Sequence, residues 1–172
     1  MKRIGIITIY DNNNYGNRLQ NYALQEVLKS NGCEVETLKN NVTLNDRDKF
    51  LYRKLKYLVK KIVRHKNKNT KRYKSFDEFN KNIKFAPKMC TAFSDISKDY
   101  DYFVVGSDQV WNPNFARLSY VDLLRFANGS QKIAYAASFG ISELSDSWKN
   151  ILKKDFEDFK AISLRENEGK KL

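Results

Sequence analysis

Short apolar runs that end in polar loops recur along this chain of 172 residues. Five runs have the length and the β-branched or alternating character of strands, namely Ile4 to Tyr10, Cys33 to Leu38, Tyr102 to Val105, Lys132 to Ser138 and Ala161 to Leu164. The first run is apolar along most of its length, which is typical of a parallel strand buried on both faces. The pattern therefore predicts a parallel sheet.

Segments with helical spacing lie between these strands. A helix that ends at Asn31-Gly32 is predicted because the apolar residues Leu19, Tyr22, Ala23, Val27 and Leu28 recur at helical spacing. A further helix is predicted for about Lys71 to Asn82. Another runs from a cap at Ser145 to about Lys160, with an inward face of Trp148, Leu152, Phe156 and Phe159. Alternating strands and helices indicate an α/β fold.

The positive charge is concentrated in one segment. The chain carries a formal charge of +12, and thirteen lysines or arginines stand against one acid, Asp48, between Arg47 and Lys74. An apolar stripe inside this segment predicts a basic amphipathic helix, within an insert of about residues 45–85. Anionic lipid, a pyrophosphate-linked acceptor, an acidic partner and RNA would all be attracted to it, and a solvated helical hairpin without a ligand is equally compatible. No base-reading motif accompanies the charge, which argues against specific recognition of nucleic acid.

Several classes of protein are disfavoured by the remaining composition. No signal peptide or membrane-spanning run is evident, so we expect a cytoplasmic protein, with peripheral contact at the inner membrane face through the basic helix as an option. Cys33 and Cys90 are far apart and are expected to be core or half-buried thiols rather than a disulfide or metal ligands. His65, the only histidine, lies in the basic segment and is interpreted as solvated, so no metal site is predicted.

Polar loops follow four of the predicted strands: Asp11 to Asn17, Gly106 to Asn112, Ser138 to Gly140, and Arg165-Glu166. Ligands of open parallel sheets bind in the crevice beyond the carboxyl ends of the strands. We therefore expect these loops to converge on one site.

The first loop contains neither a GxGxxG dinucleotide fingerprint nor a GxxxxGK[ST] phosphate loop. The loop does lead into a helix N-terminus, where free N–H groups favour the binding of a phosphate or a carboxylate. An equally weighted alternative is that Asn14 and Asn17 only cap the helix.

The stretch Gly106 to Pro113 concentrates glycine, hydroxyl, carboxylate, amide and indole groups. This mixture suits a sugar, because Trp111 could stack on the ring face while Asp108 and Asn112 bind hydroxyl groups. The alternative is a turn that carries a core tryptophan.

The same loops resemble those of polysaccharide pyruvyl transferases. Asn14 to Leu24 resembles the NYG-x-x-LQ-x-YAL opening of that family, and Tyr102 to Trp111 resembles its GSDQVW strand and loop. Ile133 to Gly140 is similar to IAYAASFG, and Ile162 to Gly169 is similar to the SLRE-x-x-G that closes the first domain. The four motifs occur in the family's order and cover nearly the whole chain.

The resemblance implies a fold, a reaction and a site. The fold would be a Rossmann-like parallel sheet flanked by helices, with residues 1–172 as a single domain similar to the N-terminal domain of a GT-B-like two-domain transferase. The reaction would transfer a pyruvate ketal from phosphoenolpyruvate, a donor substrate rather than a cofactor, to a sugar that is often lipid-linked, in the biosynthesis of exopolysaccharide or another cell-surface glycan. Most donor-binding groups belong to the family's second domain, which lies outside residues 1–172.

Within this half, the predicted site comprises Asp108 as the catalytic candidate and the substrate-binding residues Asn14, Tyr15, Gly16, Asn17, Gly106, Ser107, Gln109, Trp111, Asn112, Ser138 and Arg165. Arg165 is the local candidate for an anion contact, or it is paired with Glu166 or with another carboxylate at the domain junction. Two other functions stay open. One is an inactive domain that serves as a basic membrane- or partner-binding module, and the other is half of a GT-B-type glycosyltransferase that uses a nucleotide sugar.

Overall fold

Six parallel strands form the centre of the protein. The computed structural model describes residues 1–10, 14–40, 70–90, 95–115 and 118–171. Within these ranges the strands are β1 (Arg3–Ile7), β2 (Glu34–Asn40), β3 (Phe85–Cys90), β4 (Tyr102–Asp108), β5 (Lys132–Ala137) and β6 (Ala161–Leu164). They form one sheet in the order β3-β2-β1-β4-β5-β6, with every neighbouring pair parallel. The predicted α/β, Rossmann-like sheet is confirmed.

Three α-helices flank the sheet in the described part of the chain: α1 (Tyr15–Ser30), α2 (Lys71–Asn80) and α3 (Asp146–Glu157). All three were predicted within a few residues of their bounds. Ser145 occupies the N-cap position of α3, but its side chain makes no capping hydrogen bond. The basic amphipathic helix predicted between Phe50 and Arg64 lies outside the described residues.

The two faces of the sheet are covered by separate apolar clusters. Alternate strand residues point to opposite faces, so Ile4, Ile6 and Val104 pack with Leu24 and Leu28 of α1. The larger cluster on the other face joins the strands to α3 and to the segment between β4 and β5. Leu152 of α3 is buried there, and the other residues of its predicted inward face are Trp148, Phe156 and Phe159, which pack against the same cluster.

The apolar residues that predicted α1 face the sheet only in part. Leu28 packs against the sheet, but Leu19 and Val27 are 56 % and 57 % exposed, and the buried residues of the helix are Asn17, Arg18, Asn21 and Gln25. Asn21 and Gln25 are accommodated because Thr37 in β2 and the backbone of Lys84 offer them hydrogen-bond partners. Gln25 Nε2 donates to Thr37 Oγ1 and to the carbonyl of Lys84, and Thr37 Oγ1 donates to Asn21 Oδ1.

The strand β3 was not predicted from the sequence. Its residues include Pro87 and show no clear alternation, and the strand forms an edge of the sheet, where a proline is tolerated because its missing N–H is not needed. Cys90 at its end is buried and Cys33 is partly buried, both as free thiols, as expected.

Candidate functional site

The strand order places a topological switch point between β1 and β4. The chain runs outward from β1 to β2 and β3 on one side, then crosses to β4 and continues to β5 and β6 on the other. Ligands of such sheets bind in the crevice that opens at this point, beyond the carboxyl ends of the strands. Thr8 follows β1 there, and Ser107 and Asp108 end β4.

Gly106 has an unusual backbone conformation near the end of β4. This glycine has φ +119°, and a Cβ atom on it would lie 2.2 Å from the carbonyl oxygen of Tyr135 in the neighbouring strand β5. Its peptide bond to Ser107 is cis. Asp108 adopts a left-handed φ of 72°, a conformation that aspartate tolerates better than most residues do. The close approach to β5 requires a glycine at this corner.

A side chain from α1 bridges the switch point. Gln20 Oε1 accepts hydrogen bonds from Ser107 N at 3.2 Å and from Ser107 Oγ at 2.5 Å. Its Nε2 donates to Thr8 Oγ1 at 2.7 Å, and Thr8 Oγ1 donates to the carbonyl of Ser107 at 3.4 Å. Thr8, Gln20 and Ser107 therefore close a ring of hydrogen bonds between β1, α1 and β4.

A charged cluster joins the ends of β4, β5 and β6. The guanidinium of Arg165 lies 3.4 Å from Asp108 Oδ1 and donates to Ser138 Oγ at 3.2 Å. Ser138 Oγ donates to Glu166 Oε1 at 2.6 Å, and Arg165 Nε lies 3.5 Å from Glu166 Oε2. The side chains of Arg165 and Asp108 are 48 % and 27 % exposed, so both reach solvent at the crevice.

Asp108 is further held by its own loop. Its Oδ1 accepts a hydrogen bond from Gln109 N, and its carbonyl accepts from Val110 N and Ser138 N. Gln109 packs against Gly140, where an added Cβ would lie 2.3 Å from the side-chain carbon Cδ of Gln109. The loops after β4 and β5 are therefore packed together at this edge.

The first loop shows the capping interaction. Asn14 Oδ1 accepts a hydrogen bond from Asn17 N and so caps α1. Tyr15 is exposed and stacks on Phe76 of α2, with ring centroids 4.4 Å apart. Gly16 lies in the exposed first turn, and Asn17 is buried. Residues 11–13 of the predicted loop lie outside the described residues.

Trp111 requires a correction to the sugar-stacking interpretation. The residue is fully buried, its ring packs against Phe139, Phe156 and Phe159, and its Nε1 donates to the carbonyl of Asp122. No ring face is left for a sugar, and the alternative of a turn with a core tryptophan describes the residue. Asn112 is also buried, where it donates to Gln109 Oε1 and accepts from Asn114 N.

The structure thus brings together Ser107, Asp108, Ser138 and Arg165, whereas Trp111 belongs to the core behind them. The sequence analysis missed the roles of two residues at the same edge, Thr8 and Gln20, whereas the pairing of Arg165 with Glu166 was among its alternatives. Gln20 stood inside the quoted motif, but its contact with Ser107 joins positions 87 residues apart and has no local signal.

Comparison with known proteins identifies the family of this chain. The family model for polysaccharide pyruvyl transferase matches residues 14–172. No curated protein and no solved structure matches the chain. No helix in the described ranges is both long enough and apolar enough to cross a membrane. Because the matched region covers most of the sequence, this chain belongs to the polysaccharide pyruvyl transferase family.

Proposed function

We propose that this protein transfers the pyruvyl group of phosphoenolpyruvate to two hydroxyl groups of a sugar in a cell-surface polysaccharide, which forms a ketal and releases phosphate. Family membership supports the reaction class. The observation that carries the assignment of residues is the cluster of Asp108, Ser138 and Arg165 at the carboxyl edge of the sheet. A carboxylate and a cation exposed side by side suit a reaction that moves a proton beside an anionic donor.

The reaction requires two new carbon–oxygen bonds. The methylene carbon of the donor takes up a proton and becomes a methyl group, while the oxygen of one sugar hydroxyl bonds to the central carbon. The bond from that carbon to the phosphate ester oxygen breaks, the phosphate keeps the electron pair, and the second hydroxyl oxygen bonds to the same carbon. Of the two hydroxyl protons, one is balanced by the new methyl group and the other by the phosphate.

Asp108 is the proposed general base. Its carboxylate accepts the Gln109 N–H at 2.8 Å and lies beside Arg165, so its orientation is fixed while more than a quarter of the side chain stays exposed. A base held in this way can accept a hydroxyl proton without first reorganising. Nearby Ser138 is fully buried and serves this edge by holding Arg165 and Glu166.

Arg165 is the proposed anion contact. Its guanidinium can form paired hydrogen bonds with a carboxylate or a phosphate, and it is partly exposed at the crevice. In the free protein its partners are Asp108 and Glu166. Donor binding would therefore compete with these pairs and leave Asp108 free to take a proton.

The acceptor and the location follow from the family rather than from the geometry. We propose a sugar unit on a lipid carrier as acceptor, presented at the inner face of the membrane, and a second domain, arranged as in GT-B transferases, that contributes most of the donor contacts. The basic segment would favour anionic lipid at that surface.

The experiment compares Asp108→Asn with the wild type in the protein as its gene encodes it. Purified protein receives phosphoenolpyruvate and lipid-linked saccharides extracted from the membranes of its source, and released phosphate and acceptor mass are measured. Asparagine keeps the shape of the side chain and tolerates the left-handed backbone of position 108. We expect turnover to fall by about 10²- to 10⁴-fold with an unchanged melting temperature.

Asp146→Asn is the control, because that carboxylate is almost fully exposed on α3 and its ion-pair partner is Lys149 of the same helix. It should keep wild-type turnover. Failure of the wild type to release phosphate in an acceptor-dependent manner would refute the reaction. Full activity of Asp108→Asn would remove Asp108 from the mechanism.

A further inference from the structure

We infer that Gln20 is a positioning residue of this site: it sets the backbone of Ser107 across the switch point and thereby places the carboxylate of Asp108. This inference rests on the proposed function. It also makes a claim about the backbone that can be tested without turnover.

The inference begins where the sheet opens. The backbone pairing between β1 and β4 ends with Ile7 opposite Val105. Beyond that pair the register between β1 and β4 does not continue, and the backbone of β1 offers no partner to the amide of Ser107. Gln20 takes over this role, since its Oε1 accepts from both the backbone N–H and the hydroxyl of Ser107.

Both ends of the glutamine amide are used. While Oε1 holds β4, Nε2 donates to Thr8 Oγ1 after β1 and to the carbonyl of Asn17 in α1 at 3.3 Å. A carboxylate would lack the donor, and an aliphatic side chain would lack both functions. The side chain thus sets the distance between two strand ends with one rigid group.

The backbone carries this constraint directly to Asp108. Ser107 is its covalent neighbour, and Oδ1 of Asp108 bonds to the next backbone amide, that of Gln109. The carboxylate is therefore fixed relative to the main chain of residues 107–109. Displacement of Ser107 would move the carboxylate, and shifts of about 1 Å in reacting groups cost about 10²-fold in rate.

The helix also supplies a matched control at Gln25. This residue is fully buried and bonds through both ends of its amide, but to Thr37 of β2 and to the backbone of Lys84 beside β3. It has the same residue type and a similar number of hydrogen bonds, and these bonds go to β2 and Lys84 rather than to β4. A loss specific to Gln20 therefore separates positioning from general support of the helix.

The experiment measures Gln20→Ala and Gln25→Ala in the full protein, with phosphoenolpyruvate and the membrane-extracted saccharides described above. We expect Gln20→Ala to lower kcat by about 10- to 100-fold while KM for phosphoenolpyruvate changes by less than about threefold. Gln25→Ala should lower the melting temperature at least as much and keep kcat within about twofold of the wild type. Thr8→Val should share part of the kcat loss, and Thr8→Ser, which keeps the hydroxyl, should restore it.

Hydrogen exchange at the Ser107 amide provides a second readout. Gln20→Ala should lose protection at Ser107 and keep it in the paired residues of β4, whereas Gln25→Ala should retain it at Ser107. Equal kcat losses in the two variants, or unchanged Ser107 protection in Gln20→Ala, would overturn the inference. An inactive wild type would refute the proposed function, and the exchange result would still decide whether Gln20 holds Ser107.

Discussion

Substituting Gly106 by alanine tests the packing on which the site depends. The residue has φ +119°, and its added Cβ would lie 2.2 Å from the carbonyl oxygen of Tyr135. Because that oxygen belongs to the backbone of β5, no rotation of a side chain can relieve the contact. Either β4 or β5 must move, and both strands end in residues of the charged cluster.

The expected loss has two parts. Holding alanine at this φ costs about 1–3 kcal/mol, and forcing a methyl group into packed backbone costs a further amount of about 1–3 kcal/mol. Gly32→Ala isolates the first part, since Gly32 has φ +75° and an added Cβ there would meet nothing within 4 Å. We expect a loss of about 1–2 kcal/mol for Gly32→Ala and about 2–6 kcal/mol for Gly106→Ala.

Urea unfolding monitored by tryptophan fluorescence measures both losses. Trp111 packs among three phenylalanines, so its emission reports the core behind the site. A shift in the midpoint at constant slope is read as a change in the free energy of unfolding. If Gly106→Ala loses no more stability than Gly32→Ala, the contact with Tyr135 does not constrain β4, and the argument for a fixed corner fails.

Two further predictions concern stability away from the crevice. Burial first, and then the hydrogen bond that Tyr100 donates to Glu36, raise the pKa of Tyr100 above the ordinary 10.0. The wild type should therefore lose stability as the pH rises above that value, because tyrosine ionises first in the unfolded chain. Urea unfolding between about pH 8 and 11 measures the change of the unfolding free energy with pH, and Tyr100→Phe should lack the part of that change that Tyr100 causes. Equal changes in the two proteins would contradict the raised pKa of Tyr100. In the same assay, Leu152→Ala should lower the free energy of unfolding by about 2–5 kcal/mol and Leu19→Ala by less than about 0.5 kcal/mol. The reason is that Leu152 is buried and Leu19 is exposed. Similar losses in the two variants would mean that α1 faces the sheet through Leu19.

The sheet and the edge that holds the site were predictable because parallel strands leave a local signature. A strand buried on both faces needs a run of apolar residues, and its carboxyl end must return the chain to solvent through polar residues. Tyr102 to Val105 followed by Gly106-Ser107-Asp108 shows both features. The convergence of Asp108, Ser138 and Arg165 then follows from parallel pairing alone, since all three stand at the same end of neighbouring strands.

The burial of Trp111 could not be read from its neighbours in sequence. A tryptophan beside aspartate and asparagine is compatible both with a sugar-stacking site and with a turn that carries a core tryptophan. The surroundings of the indole decide between these alternatives, because it is enclosed by the rings of Phe139, Phe156 and Phe159. The nearest of them lies 28 positions away in the chain, and only the tertiary fold brings them to Trp111.

The inner face of α1 is mixed, because Leu24 and Leu28 pack on the sheet while polar residues occupy the remainder. Apolar periodicity predicts burial only where the surface beneath the helix is apolar, and the surface beneath α1 includes Thr8 after β1 and Thr37 within β2. There, Gln20 engages β1 and β4, while Asn21 and Gln25 engage β2 and the residue before β3. Hydrogen bonds with fixed lengths and directions set the positions of strand ends more narrowly than apolar packing does. A helix that carries polar residues on its inner face is therefore suited to fixing the backbone of Ser107, while Leu19 and Val27 lie on its exposed side.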